Sequence, residues 1–303
     1  MARSPRRGAL SRVAAVWVAC VVAAGSMSAC SHGGTHPLAA DVAASTEVWA
    51  SVARAVTGDH LSVRAIMAGA DIDPHSFQAT PSDAAALVDA HLIVYNGGGY
   101  DSWVDSVLEG RSGVRAVAAY QFRQGSNEHV FYDLNVAKSV ASDVAKQLSI
   151  IDPPHSAEYR ANAAAFGRNT DAIAESQRAI TTNHPGAAVI ATEPVVYYLL
   201  RSTGLTDRTP PTFAEASEND TEPAPADMAA VLDLVQHRQV AAVLVNPQTS
   251  TAAITRVVEA AKSANVPIVD VTETLPDGAN YLSWQIGTVD RLTAALDRSG
   301  RSA

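Results

Sequence analysis

The chain has 303 residues, of which 47% are hydrophobic and 17% charged, and its formal net charge is −9. That length exceeds what one small domain needs, so two lobes with separate sheets are expected. The excess of acid argues against nucleic acid as a partner, and no segment beyond the first thirty residues is apolar enough to span a bilayer.

The first residues form a secretory signal. Arg3, Arg6, Arg7 and Arg12 precede an apolar run over 13–24, and small residues follow up to Cys30. The run is too short for a mature membrane helix. Met27-Ser28-Ala29-Cys30 resembles the lipobox of bacterial lipoproteins, so cleavage after residue 29 would leave a lipidated Cys30 anchored to the outer face of the cell membrane. Removing 1–29 discards four arginines and no acid, leaving 18 basic against 31 acidic residues and a charge of −13. It also discards Cys20, so the mature chain has neither a disulfide nor a thiolate metal ligand. An ordinary cleaved signal with a free cysteine is the alternative. Residues 30–36, rich in Ser, Gly and His, read as a tether.

Order is expected from Pro37. Short apolar runs then alternate with helical stretches: a strand at 38–43, a helix at 46–56, a strand at 63–66, a helix at 82–90 and a strand at 92–95. The same grammar returns with strands at 187–191, 240–245 and 266–271 and helices at 225–237 and 252–264. Such alternation predicts an α/β fold with two similar lobes, 37–152 and 184–303, each with a parallel sheet. Met228, Val231, Leu232 and Val235 share one helical face and read as core. Between the lobes, Asp152-Pro153-Pro154 ends one helix and Ser156 is placed to cap the next. Tyr159, Phe166, Ile173 and Ile180 recur every seven residues along it. This linking helix, within 153–183, would form a rod roughly 40 Å long.

The candidate ligands are histidines and carboxylates at loop positions. Of the nine histidines, His32, His36, His60, His91, His155, His184 and His237 have no context that raises them above surface or core roles. His75 lies in Gly-Ala-Asp-Ile-Asp-Pro-His-Ser-Phe-Gln, after a strand and before a helix opened by Pro81-Ser82-Asp83, with Pro74 stiffening the backbone and Asp73 able to orient the ring. His129 lies in Asn-Glu-His-Val-Phe-Tyr-Asp-Leu, ahead of a long helix. In the second lobe one strand delivers Glu193 to its end before Pro194, and another delivers Glu273 within Thr272-Glu273-Thr274. An acid at such a place also complements a helix dipole on structural grounds alone. The acidic run Glu215, Glu218, Asp220 and Glu222 reads as a solvated connection.

Taken together, Asp-Pro-His-Ser-Phe-Gln-Ala-Thr-Pro-Ser-Asp, Ala-His-Leu-Ile-Val-Tyr-Asn-Gly-Gly-Gly-Tyr-Asp-Ser-Trp, Glu-His-Val-Phe-Tyr-Asp-Leu, Glu-Pro-Val-Val-Tyr-Tyr-Leu-Leu, Val-Asn-Pro-Gln-Thr and Thr-Glu-Thr-Leu-Pro resemble the zinc- and manganese-binding lipoproteins of bacterial ABC importers. The likeness covers nearly the whole mature chain. It implies two lobes joined by one long helix, a metal site in the cleft between them, and a permease and its ATPase as partners of a monomeric carrier. Carried over by position, the ligands fall on His75, His129, Glu193 and Glu273, where Glu273 replaces the more usual Asp.

Two imidazoles and two carboxylates without sulfur suit manganese, iron or zinc. Oxygen-rich ligation favours manganese or iron, with zinc close behind, and the stretch 121–128 is too short for the His- and acid-rich loop of many zinc carriers. A secreted zinc metallohydrolase is the rival from another class. Catalysis needs an open coordination position and a base, whereas four protein ligands close the shell, and the chain has no His-Glu-x-x-His, no Gly-x-Ser-x-Gly and no catalytic cysteine. A metal-stabilised surface adhesin is the third reading.

Overall fold

Two four-stranded sheets of the same design carry the architecture, and every strand pairing in them is parallel. The computed structural model describes residues 40–69, 77–219, 221–249 and 251–300. The signal segment, Cys30 and its tether, and His75 with Asp73 and Pro74, lie outside the described residues.

The first half runs β1 (Val42–Thr46), α1 (Glu47–Thr57), β2 (Val63–Met67), α2 (Pro81–Val88), β3 (Leu92–Tyr95), α3 (Ser102–Leu108) and β4 (Ala116–Ala118), with sheet order β2-β1-β3-β4. Then come α4 (Leu134–Ile151) and α5 (Ser156–Asn183). The second half runs β5 (Ala188–Ala191), α6 (Tyr197–Thr203), β6 (Thr206–Asp207), α7 (Pro211–Glu218), α8 (Pro225–Gln236), β7 (Ala242–Val245), α9 (Ala252–Ala264), β8 (Ile268–Asp270) and α10 (Tyr281–Gly300), with order β6-β5-β7-β8. Among the described residues no helix is long and apolar enough to cross a membrane.

The first strand lies later than the expected 38–43. Asp41 is held by side-chain hydrogen bonds from the backbone and hydroxyl of Ser62 at 2.9 and 2.8 Å, so pairing begins at Val42 opposite Val63. The strand then runs to Thr46, whose hydroxyl accepts the Trp49 amide and caps α1 directly. β1 and β7 are buried along their whole length, as central strands covered on both faces must be.

One apolar cluster runs through both halves. It joins Val42, Trp49 and Leu92 of the first to Val189, Leu244 and Trp284 of the second, through Tyr159, Phe166, Ile173 and Ile180 of α5. The seven-residue recurrence is therefore the buried stripe of the linking helix. Ser156 does not cap that helix. A 3-10 turn over Pro153–His155 leads into it, and the Asp152 carboxylate accepts the Tyr159 hydroxyl and lies 2.7 Å from His155 Nδ1.

Hydrogen bonds reinforce the junction. The Tyr281 amide donates to Ser51 Oγ and its hydroxyl to the Phe131 carbonyl, both at 2.8 Å, while the Tyr132 hydroxyl donates to the Thr272 carbonyl at 2.8 Å. A shared core and a continuous helix oppose hinge bending. Ligand-free and ligand-loaded crystals should accordingly differ only in loops, and a rotation of one sheet against the other by tens of degrees would overturn this expectation.

Candidate metal centre

In a parallel sheet of order 2-1-3-4 the connections leave the strand ends in opposite directions between the two central strands, opening a crevice there. Each half of the molecule places an asparagine at that point. Asn96 follows β3 in the first half, and Asn246 follows β7 in the second. Both are buried, at 0% and 2% exposure.

Asn96 organises the loop that carries His129. Its Oδ1 accepts the Trp49 indole at 3.2 Å, and its Nδ2 donates to the Glu128 carbonyl at 2.9 Å. The glycine run behind it is required sterically: Gly98 has φ +71°, and a Cβ there would stand 2.5 Å from the Tyr120 ring. Tyr120 can thus lie over the turn and donate its hydroxyl to the Ser126 carbonyl at 3.0 Å. Next along the chain, Asn127 Oδ1 accepts the His129 amide at 2.9 Å, which identifies that atom as the oxygen. The same oxygen lies 3.1 Å from His129 Nδ1, so Nδ1 carries the ring proton. In the neutral ring this leaves a lone pair on Nε2, the orientation a metal ligand requires.

Nε2 faces the second half. It lies 3.5 Å from Glu218 Oε1 and 3.7 Å from Glu273 Oε2, and the imidazole is wholly buried. These separations are long for hydrogen bonds. They match donors held around one ion, since two atoms each about 2.1 Å from a metal at a tetrahedral angle stand about 3.4 Å apart. Glu128, His129 and Glu218 each offer an atom within 4.8 Å of the others.

Glu193 and Glu273 follow β5 and β8 and are tied to each other by Asn246. Its Nδ2 donates to Glu193 Oε2 at 2.9 Å and to Glu273 Oε1 at 3.2 Å. Gln248 fixes the Glu273 backbone, accepting its amide at 2.8 Å. Glu193 is only 3% exposed, and its Oε1 has no hydrogen-bond partner among the described residues. Burial raises its pKa from 4.5 to about 7, opposed by the neighbouring Asn246 amide and Thr249 hydroxyl and helped by the charges of Glu273 and Glu218. The two sides are sewn together beside the site: Asn127 Nδ2 donates to the Pro194 carbonyl at 3.3 Å, and the Tyr198 hydroxyl to the Asn127 carbonyl at 2.8 Å.

The fold therefore brings Glu273 to 3.7 Å from His129 and ties Glu193 to Glu273 through Asn246, while His75 lies outside the described residues. Glu218 corrects the reading of 215–222 as wholly solvated. Glu215 and Glu222 are exposed, but Glu218 has a side chain only 15% exposed and turned to His129. The signal that marks it is Phe213 with Ser217, the buried face of a proline-started helix whose last residue is an acid. Four other histidines have partners elsewhere. His60 stacks on His155 with centroids 3.9 Å apart and lies 2.7 Å from Glu158, His184 lies 3.0 Å from Asp297, and His237 lies 3.0 Å from Asp233.

Comparison with known proteins agrees with this architecture. The family model described as "Zinc-uptake complex component A periplasmic" matches residues 42–295. The manganese-binding lipoprotein MntA of Bacillus subtilis (strain 168) is 24% identical over 244 residues, covering 73% of this chain and 75% of that protein. The manganese ABC transporter substrate-binding lipoprotein PsaA of Streptococcus pneumoniae is 20% identical over 95% of this chain and 100% of its own. Among solved structures, the periplasmic zinc-binding protein TroA of Treponema pallidum superposes with a TM-score of 0.72 at 18% identity, covering 84% of this chain and 98% of its own. The chain belongs to the zinc-uptake complex component A family, whose members are the metal-binding solute receptors of ABC importers and not enzymes.

Proposed function

We propose that the mature chain is a lipoprotein held to the outer face of the cell membrane through Cys30, which captures one divalent transition metal ion and passes it to a permease and its ATPase. Its ligands are His75 and His129 from the lobe at 37–152 and Glu193 and Glu273 from the lobe at 184–303, with the helix at 153–183 joining the lobes. The observation that carries this reading is the buried His129 imidazole, its Nδ1 occupied by Asn127 and its Nε2 facing Glu273 Oε2 across 3.7 Å. Manganese or ferrous iron is favoured over zinc, because two carboxylates able to bind through both oxygens allow five or six coordination, which those ions accept readily. The two relatives named for manganese support that order, and the neighbour named for zinc keeps zinc close behind.

Anomalous scattering at the manganese, iron and zinc edges, from crystals of protein purified without added metal, tests ion and ligands together. A single peak within about 2.3 Å of His129 Nε2 and of Glu193 and Glu273 oxygens is expected. A peak elsewhere, or a wild-type chain that takes up none of the three ions, would refute the assignment. In cells, loss of the protein should impair growth under metal limitation and added metal should restore it; an adhesin would show no such rescue.

A further inference from the structure

We propose that Glu218 is itself a metal-binding residue of this centre, a third carboxylate supplied from the end of α7, and the one that sets the preference among metals. The inference rests on the carrier reading above and assigns a ligand beyond the four carried over from the resemblance.

Glu218 is the last residue of α7, where the backbone dipoles present their negative end. A carboxylate there is disfavoured by its own helix, and burial disfavours it further. It is nevertheless held inward: Phe213, wholly buried in the second-half core, and buried Ser217 anchor the helix, and Oε1 stands 3.5 Å from the lone-pair nitrogen of His129. An independent observation marks the same pocket as built for a ligand. Glu193, 97% buried, has one oxygen engaged by Asn246 and the other without a hydrogen-bond partner among the described residues, within reach of the charges of Glu218 and Glu273. Glu218 and Glu273 both face the imidazole and Glu193 is tied to Glu273 through Asn246, an oxygen-rich, negatively charged wall that favours a dication.

The consequence for selectivity follows from coordination number. Zinc is satisfied by four ligands in a tetrahedron, the number that the ligand set proposed above would supply without Glu218. Manganese and ferrous iron accept five or six donors and favour carboxylate oxygen. A further carboxylate is therefore useful to manganese and surplus to zinc.

The test is titration of the full mature chain with Mn2+ and with Zn2+, each in competition with a chelator. Glu218→Gln should weaken Mn2+ binding about 10- to 100-fold, the range typical of removing an interaction at a metal centre, while changing Zn2+ binding less than about threefold. Glu218→Asp, which keeps the charge and withdraws the oxygen by one methylene, should also lose Mn2+ affinity, whereas Glu215→Gln on the exposed face of the same helix should change neither. The metal-free Glu218→Gln chain should melt no lower than wild type, since it sheds one of three neighbouring negative charges. Unchanged Mn2+ affinity, or equal losses for both ions, would overturn the assignment to Glu218. If wild type binds neither ion, or Glu273→Gln leaves binding of both intact, it is the carrier reading that fails.

Discussion

Replacing His129 with alanine should weaken metal binding by more than about a hundredfold, because even a residue that merely orients a ligand contributes 10- to 100-fold at such centres. The readout is the gain in stability on adding Mn2+. At a metal concentration about 1,000 times the dissociation constant, wild type gains about 4 kcal/mol by mass action. After a hundredfold loss the same concentration is only about ten times the dissociation constant, and the gain falls to about 1.4 kcal/mol. The increment is the quantity to compare, since the substitution also leaves a cavity in a fully buried position and takes the Nδ1 donor away from Asn127. A His129→Ala chain that keeps the wild-type increment would remove His129 from the ligand set.

The position of His129 was legible before any coordinates because it sits between a polar loop and a long helix, in a motif with a clear resemblance. Glu193 and Glu273 were legible for a similar reason: each follows an apolar run that could only be a buried strand. α9 matches its expected bounds of 252–264, and α8 ends within one residue of the expected 225–237, because long periodic helices announce both ends. The edge strands were not legible. β4 is apolar but only three residues long, too short to stand out as a strand, and β6 has only two residues, Thr206 and Asp207, neither of them apolar. Thr46 shows why the first strand was misplaced, since one residue both ends the strand and caps the helix, and propensity alone does not assign it to either.

What lay furthest from the sequence was the support around the site. Asn127 and Asn246 stand within or beside the motifs but are not ligand positions, and their hydrogen bonds reach Pro194 and Glu193, 67 and 53 positions away. Glu218 was obscured differently. Its neighbours Glu215 and Glu222 are exposed, and its own burial depends on Phe213 docking against strands that close only when the second sheet forms. Local polarity argued for solvent there, and tertiary packing prevailed.

Glu193→Gln should separate the two demands on this centre, making the metal-free protein more stable and the metal-loaded one weaker. The folded chain raises the Glu193 pKa from 4.5 to about 7, chiefly by burial. Between those values the folded state holds more protons than the unfolded one, so this group's contribution falls as pH rises through the window. Above pH 7 the full penalty is present and amounts to about 3 kcal/mol. Glutamine cannot ionise, and its carbonyl oxygen can still accept from Asn246, so the metal-free variant should exceed wild type by up to about 3 kcal/mol at pH 8 and by almost nothing near pH 4.5. A bound dication offsets the same penalty in wild type, because the ion favours the ionised carboxylate. Wild-type affinity should therefore fall about tenfold per pH unit below 7 from this group alone, with a proton released on binding, and the variant should lose that component along with most of its affinity. Denaturant unfolding of both metal-free chains at pH 5 and pH 8 decides the matter: a stability difference that does not widen with pH would show that Glu193 is not the buried, strained carboxylate on which metal capture draws.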